Sequence, residues 1–357
     1  MYKTNLTTVA GRANGNNILS AGTWQYKTTS IEFEQSIQLL HFLFEEKSLK
    51  EINDFLILHN ISNEIFKKLV KNKLITTNYK IFNKKDDIEF KNNLYIDNIT
   101  NNPIEVENKI KNTIFVIIGC GGIGNFMSFA LNSLTPKKII LIDGDVIERS
   151  NLNRQLMFTE NDIGSFKAET LKKSLINRNS NAHIYSINNY VTEDILSNIF
   201  SENNPKNIIA VLSGDNETAL SVTTTICAKY KVPFLNVGYL NNISVIGPFY
   251  IPNNSCCPYC HNSFSVQLDS SKNIIDKWVN ELNMRSEAPS SFVNNSLASS
   301  MAMVDIFHFL DNDFTNINSF NCRFGIENMG FKILQSKSSI DKNCKYCGNN
   351  KYDKCNK

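Results

Sequence analysis

The sequence predicts an α/β protein, with a mostly parallel sheet covered by helices on both faces and a small separate module in front of it. Three observations carry that prediction. Short apolar runs alternate with segments of helical period between residues 113 and 240. A cluster of four glycines, in "VIIGCGGIGN" at 116–125, directly follows the first of those runs. Two Cys-x-x-Cys pairs stand late in the chain, at Cys257/Cys260 and Cys344/Cys347.

Each element has its own justification. Residues 1–30 are rich in Gly, Asn and Thr without a sustained period, as in a flexible or strand-forming arm. From Ile31 to Leu74 the pattern is helical, and "SIQLLHFLFEE" places Ile37, Leu40 and Phe44 on one face. Ser48 followed three residues later by Glu51 has the spacing of a capping box. "SNEIFKKLVKNKLI" reads as a third helix and "TTNYKIF" as a strand, so residues 1–85 suit a winged-helix-like module. The charged, apolar-poor stretch 83–93 marks a boundary, which gives 86–357 as the second domain. There, strands at 113–119, "KKIILIDGD", "HIYSINNYV", "NIIAVLSGD" and "VPFLNVGYL" alternate with helices from Gly122 to Leu134, over "KAETLKKSLINRN", "EDILSNIF" and "ETALSVTTTICAKY". Such alternation is the signature of right-handed crossovers around a parallel sheet.

Composition excludes several functions. A net charge of +3 over 357 residues is too small for wholesale nucleic-acid binding. No apolar run is long enough to span a bilayer. The polar start "MYKTNLTTVAGRANGNN" lacks a signal-peptide core, so a cytoplasmic location is expected.

The glycines Gly119, Gly121, Gly122 and Gly124 fall at a strand-to-helix turn, where backbone N–H groups and a helix N-terminus face an anion. Asp143 ends the next strand, where a carboxylate can accept hydrogen bonds from ribose hydroxyls. A hydride-transferring enzyme with a dinucleotide cofactor is one reading of the loop. The continuation, with Asp145, Asn151, Arg154, Gln155 and Lys167, favours a nucleoside triphosphate, because Arg and Lys complement phosphate oxygens.

The segments "GCGGIG", "DGDVIERSNLNRQ", "DIGSFKAE" and "VLSGDN" resemble the ATP site of the ThiF/MoeB family, which includes the ubiquitin-activating enzymes. The resemblance covers residues 113–350 and implies a Rossmann-like domain that adenylates a C-terminal carboxylate. By this resemblance the glycines approach the phosphates, Asp143 and Asp145 lie at the ribose, and Asn151, Arg154, Gln155 and Lys167 bind phosphate. Asp215 would hold Mg²⁺, and Arg154, Lys167 and Asp215 form the catalytic set. Many relatives add an arginine across a homodimer interface; Lys91 stands at the equivalent place here, retaining charge without the planar fork.

Two Cys pairs with this spacing complete a Cys₄ site, the pattern of structural zinc, and Gly348 suits the turn behind the second pair. The segment where thioester-forming relatives carry a nucleophile has no cysteine, which favours adenylation alone. "LNVGYLNNISVIGPFYIP", "VNNSLASSMAMVDIFHFL" and the terminal "CKYCG" are similar to the microcin C branch of the family, the MccB-type peptide adenylyltransferases. That narrower resemblance implies a short ribosomal peptide ending in Asn as substrate, residues 1–85 as the module that clamps it (a packing appendage without a ligand is equally open), ATP or in some relatives CTP as co-substrate, and a P–N linked antibiotic as product. Asn241, Asn242, Asn294 and Asn295 flank the expected peptide cleft, where amides could hold a terminus; turn or surface roles are equally open. Two alternatives stand beside this reading: an activator of a sulfur carrier's Gly-Gly tail, and a non-catalytic peptide binder with a vestigial nucleotide site.

Overall fold

The computed structural model describes the chain except residues 22–23, 79, 81–84, 214–216, 263–273, 286 and 349–357. It divides into two compact units, Met1–Glu107 and Asn108–Lys357.

The first unit begins with β1 (Lys3–Thr4), β2 (Thr8–Ala13), β3 (Asn16–Ala21) and β4 (Trp24–Thr28). Three helices follow, α1 (Ser30–Phe42), α2 (Leu49–Leu58) and α3 (Asn63–Lys71), then β5 (Ile75–Thr76), α4 (Phe90–Ile99) and α5 (Pro103–Asn112). Strands β2, β3 and β4 form an antiparallel sheet, and β1 pairs with β5. The expected capping box is present: Ser48 Oγ accepts from Glu51 N at 3.3 Å, and Glu51 Oε2 accepts from Ser48 N at 2.8 Å. The buried face of α1 includes the expected Leu40, with Ile37 packed against the same core. It runs through Phe33, Ser36, Leu39 and Leu40, while Phe44 lies beyond the helix end and is 58% exposed. Thr29 caps the helix, its side chain accepting from Glu32 N. The strand expected over "TTNYKIF" lies partly outside the described residues; its described part begins within β5.

The second unit holds β6 (Ile114–Ile118), α6 (Gly122–Asn132), β7 (Lys138–Ile142), α7 (Lys167–Arg178), β8 (Ile184–Ile187), α8 (Glu193–Glu202), β9 (Ile208–Leu212), α9 (Glu217–Tyr230) and β10 (Phe234–Leu240). It continues with β11 (Ile243–Tyr250), α10 (Ile274–Met284), α11 (Phe292–Leu310), β12 (Cys322–Glu327) and β13 (Lys332–Lys337). The eight strands form one sheet in the order β13-β12-β11-β10-β9-β6-β7-β8. The pairs from β10 to β8 are parallel, as the alternation of elements predicts, and β11 to β13 extend the sheet as an antiparallel meander. The third expected strand is shorter than "HIYSINNYV", because the chain leaves the sheet at the Asn188–Asn189 pair.

Every side chain of β6 and β9 is buried, which explains why both read as unbroken apolar runs. Ile114, Val116 and Ile118 share a core with Leu196 and Phe200 of α8 and Ile226 of α9. Phe115 and Ile117 point to the opposite face by the two-residue period and are equally buried. Burial of each such side chain contributes about 1.5–3 kcal/mol.

The strand order fixes where a ligand can go. From β6 the chain steps outward to β7 and β8, then crosses back to β9 on the other side of β6. The loops after β6 and β9 therefore diverge, and a crevice opens at the carboxyl ends of the strands.

Candidate active site

The crevice is a cavity of about 430 Å³. Strand β6 contributes Gly119 and the turn to α6, β7 ends in Asp143, β9 ends beside Ser213, and β10 supplies Asn236 to Leu240.

The four glycines differ in what surrounds them. Gly119 has φ +92°, a conformation that only glycine adopts without strain. A Cβ on Gly124 would strike the carbonyl oxygen of Gly119, so this glycine lets α6 pack close against the turn. A Cβ on Gly122 would collide with the amide oxygen of Asn295. Gly121 alone faces open space, its nearest neighbour being Gln155 Nε2 at 3.8 Å. Asn125, unnoticed in the sequence, staples the turn: its Nδ2 donates to the Cys120 carbonyl at 2.9 Å and its Oδ1 accepts from Met157 N at 3.0 Å. Ser213 adds a second brace, donating to Gly119 O at 2.7 Å.

Asp143 is nearly buried and accepts from Cys120 N at 2.6 Å and Asp145 N at 2.8 Å. Burial pushes its carboxyl above the ordinary value, against the opposing pull of those two N–H groups and of Lys167. Lys167, 8% exposed, donates to Asp145 Oδ2 at 2.8 Å, and Tyr190 donates to Asp145 Oδ1 at 2.6 Å. Burial raises Asp145, but the hydrogen bonds from Lys167 and Tyr190 and the Lys167 charge outweigh it, and its carboxyl ends below the usual value. A depressed folded pKa stabilises the protein above the unfolded value of about 3.9 and ceases to do so as pH falls through the folded value. Asp145→Asn is therefore expected to lower the urea midpoint at pH 7, and the gap from the parent is expected to close toward pH 3. Parallel curves at both pH values would remove the ion pair from the stability of the site.

Arg154 donates from Nη1 to Ser150 O at 3.1 Å and to Asn153 Oδ1 at 2.8 Å, both neutral acceptors, and its side chain lines the cavity. Gln155 is 2% exposed, and its Oε1 has no hydrogen-bond partner, leaving one buried acceptor available to a donor. Asn151 does not line the cavity. Its Oδ1 accepts from Glu148 N at 3.1 Å and its carbonyl from Gln155 N at 3.0 Å, so it shapes the turn that presents Arg154 and Gln155. Asp215 lies outside the described residues. Lys91 lies on α4 of the first unit, its Nζ 5.5 Å from the Phe90 ring centroid.

The Asn pairs divide. Asn241 takes φ +49° in the β10–β11 turn, and Asn242 Nδ2 donates to Glu327 Oε1 at 2.7 Å. Asn294 is committed to the scaffold: Nδ2 donates to Pro289 O at 2.8 Å and Asn241 O at 3.2 Å, and Oδ1 caps α11 through Ser291 N. Asn295 lines the cavity. Glu217, Tyr239 and Arg323 also line it without having been singled out by any motif; a single charged residue inside a strand or helix run has no spacing signal.

The cysteine pairs meet as expected. Cys257 Sγ lies 3.8 Å from Cys260 Sγ and 3.6 Å from Cys344 Sγ, and Cys260 Sγ lies 3.5 Å from Cys347 Sγ. Four sulfurs at about 2.3 Å from a tetrahedral zinc stand about 3.8 Å apart, so the donor set and its spacing fit that metal and not a disulfide. A Cβ on Gly348 would lie 2.6 Å from the Cys344 carbonyl, which explains a glycine behind the pair. Tyr259, between the first two ligands, donates to Glu217 Oε1 at 2.7 Å and stacks on Tyr346. Cys120, Cys227, Cys256 and Cys322 are buried, and burial raises each thiol above its ordinary value.

A turn of this build, a strand-end carboxylate and cations on the following segment match a known profile: the ThiF family over residues 95–346. The chain belongs to the ThiF family. Its sequence is 32% identical over 142 residues to SUMO-activating enzyme subunit 2 of Dictyostelium discoideum, covering 39% of this chain and 21% of that protein. It is 29% identical over 154 residues to human ubiquitin-like modifier-activating enzyme 1, covering 41% of this chain and 14% of that protein. The ThiF-family chain thus matches only a minor part of these curated relatives. Among solved structures, E. coli MccB with MccA-N7isoASN superposes with a TM-score of 0.83 at 28% identity, covering 98% of this chain and 99% of that one. E. coli MccB with ATP gives 0.81 at 27% identity, covering 97% and 99%. The family resemblance and the fold class read from the sequence both hold. No helix among the described residues is long and apolar enough to cross a membrane.

Proposed function

We propose that this protein is an ATP-dependent nucleotidyltransferase that adenylates the C-terminal carboxylate of a short ribosomal peptide ending in Asn, on the way to a P–N linked peptide-nucleotide of the microcin C type. The observation that carries the reading is a single cavity with two walls. One wall has Gly121, Asp143, Arg154 and Lys167, suited to a nucleoside triphosphate; the other, from β10 to β12, is free to receive an acceptor. The full-length likeness to MccB, whose structures hold ATP or MccA, supports the same assignment.

In the reaction, a peptide carboxylate oxygen attacks the α-phosphorus. The bond from that phosphorus to the bridging oxygen breaks, and pyrophosphate leaves with the bonding electrons. Both partners are anionic, so Arg154 and Lys167 act by neutralising charge as it develops, and positioning supplies much of the rest. Asp143 would orient the ribose, and Asp215 would hold Mg²⁺, whose charge would offset that of the phosphates. Asp145 keeps Lys167 in place until phosphate competes for it. The chain acts as a homodimer in this reading, with Lys91 supplying charge across the interface, and zinc in the Cys₄ site is structural. CTP is the second nucleotide this reading admits, since the phosphate and ribose contacts do not involve the base.

Pyrophosphate release with Mg²⁺-ATP tests the proposal. Release is expected with an Asn-ending heptapeptide and not with a Gly-Gly-ending carrier protein. Release with the carrier alone would favour sulfur-carrier activation, and release with neither would leave a binding protein.

A further inference from the structure

We propose that Arg323 is the anchor for the acceptor's terminal carboxylate, a role that rests on the adenylation reading above. Arg323 sits on β12, which pairs with β11 in antiparallel register, Val245 facing Gly325 and Ile246 facing Phe324. By the two-residue period, Arg323 and Gly325 share a face with Val245 and Gly247 across the ladder. Val245, Gly247 and Arg323 all line the cavity. On this face of the ribbon Arg323 is flanked by Gly325 on its own strand and by Gly247 across the ladder, positions without a side chain.

Its surroundings leave one guanidinium donor unsatisfied. Nε is buried and has no hydrogen-bond partner. Burial also lowers the Arg323 pKa, as expected for a cation drawn out of water without a compensating anion. The other two cations of the cavity are placed differently: Lys167 is paired with Asp145, and Arg154 projects from the segment after β7, beside the glycine turn. The cavity thus holds a cation on its acceptor wall, separate in the fold from those on its nucleotide wall.

An arginine presents Nε–H and Nη–H side by side, and a carboxylate accepts from both at once. A terminal carboxamide cannot make that charge-assisted pair. Held by Arg323 through one edge, the carboxylate would be fixed in the chamber that also holds the triphosphate, and its nucleophilic oxygen would be aimed rather than free to rotate. This is orientation of an attacking group by a residue that touches substrate, and it makes a free C-terminus a condition of recognition.

The test compares an Asn-ending heptapeptide with its C-terminal carboxamide, by equilibrium binding and by pyrophosphate release, in the parent, Arg323→Gln and Arg323→Lys. The parent is expected to bind the acid at least tenfold more tightly than the amide. Arg323→Gln is expected to lose that preference, with the amide affinity, the Mg²⁺-ATP affinity and the thermal midpoint little changed. Arg323→Lys is expected to recover part of it, since it restores charge without the fork. If Arg323→Gln keeps the acid preference while the parent turns over, the anchor is wrong and the reaction stands. If Arg323→Gln weakens ATP binding as much as acid binding, Arg323 belongs to the nucleotide and the anchor is again wrong. A parent that neither releases pyrophosphate nor prefers the acid overturns the anchor and the adenylation reading together.

Discussion

Arg154→Ala is expected to reduce kcat for pyrophosphate release by about 10²-fold or more, the usual consequence of removing one preorganised charge-stabilising group. The structure makes this substitution clean. Among the described residues the guanidinium is held by Ser150 O and Asn153 Oδ1, both neutral, and no described carboxylate is left stranded by its removal. The change in thermal midpoint should therefore stay within about 2–4 °C, the shift that about 1 kcal/mol produces in a domain of this size. Lys167→Ala would be harder to interpret, because it also releases Asp145 and Tyr190 from their shared arrangement. Steady-state kinetics with both substrates varied would decide the matter, and a variant within threefold of the parent would take Arg154 out of the chemistry.

Cys344→Ser is expected to abolish stoichiometric zinc and to lower the thermal midpoint by more than about 10 °C, corresponding to roughly 4 kcal/mol in a domain of this size. The reason is placement. Cys257, Cys260 and Cys344 belong to the same core as Ile114, Phe234 and Tyr250, so the cluster is continuous with the sheet's packing rather than an appendage on it. Losing one ligand opens the site and leaves buried thiols without the metal's charge. Metal content by elemental analysis and a thermal scan in parallel would check this. Zinc retained at one per chain with an unchanged midpoint would remove the cluster from the stability of the fold.

The parallel half of the sheet was legible because β6, β7 and β9 are buried on both faces and read as continuous apolar runs with helices between them. The nucleotide wall was legible for a related reason: glycines, a strand-end aspartate and a string of cations occur at fixed intervals along one crossover. Other features depend on pairings remote in sequence. Arg323 gains meaning only when β12 lies against β11, and Glu217 only when Tyr259 reaches it. The α1 face departs from its period only at Phe44, because the helix ends at Phe42 and the chain turns before Phe44 can join the stripe. The glycine cluster is legible as a motif, and Gly122 and Gly124 also answer to Asn295 and to the Gly119 carbonyl, contacts that no spacing rule contains.

The link from Tyr259 to Glu217 has a consequence for synthesis. Pro258 and Glu217 line the cavity, and the ligands on either side of Tyr259 find their counterparts 87 residues later. At roughly 5–20 residues per second, the ribosome takes about 4–17 s to deliver Cys344 after Cys257. During that interval the nascent chain carries half a metal site and a reaction chamber with one side unbraced. Completion of the four-cysteine set is then the event that braces the segment carrying Pro258 and Tyr259.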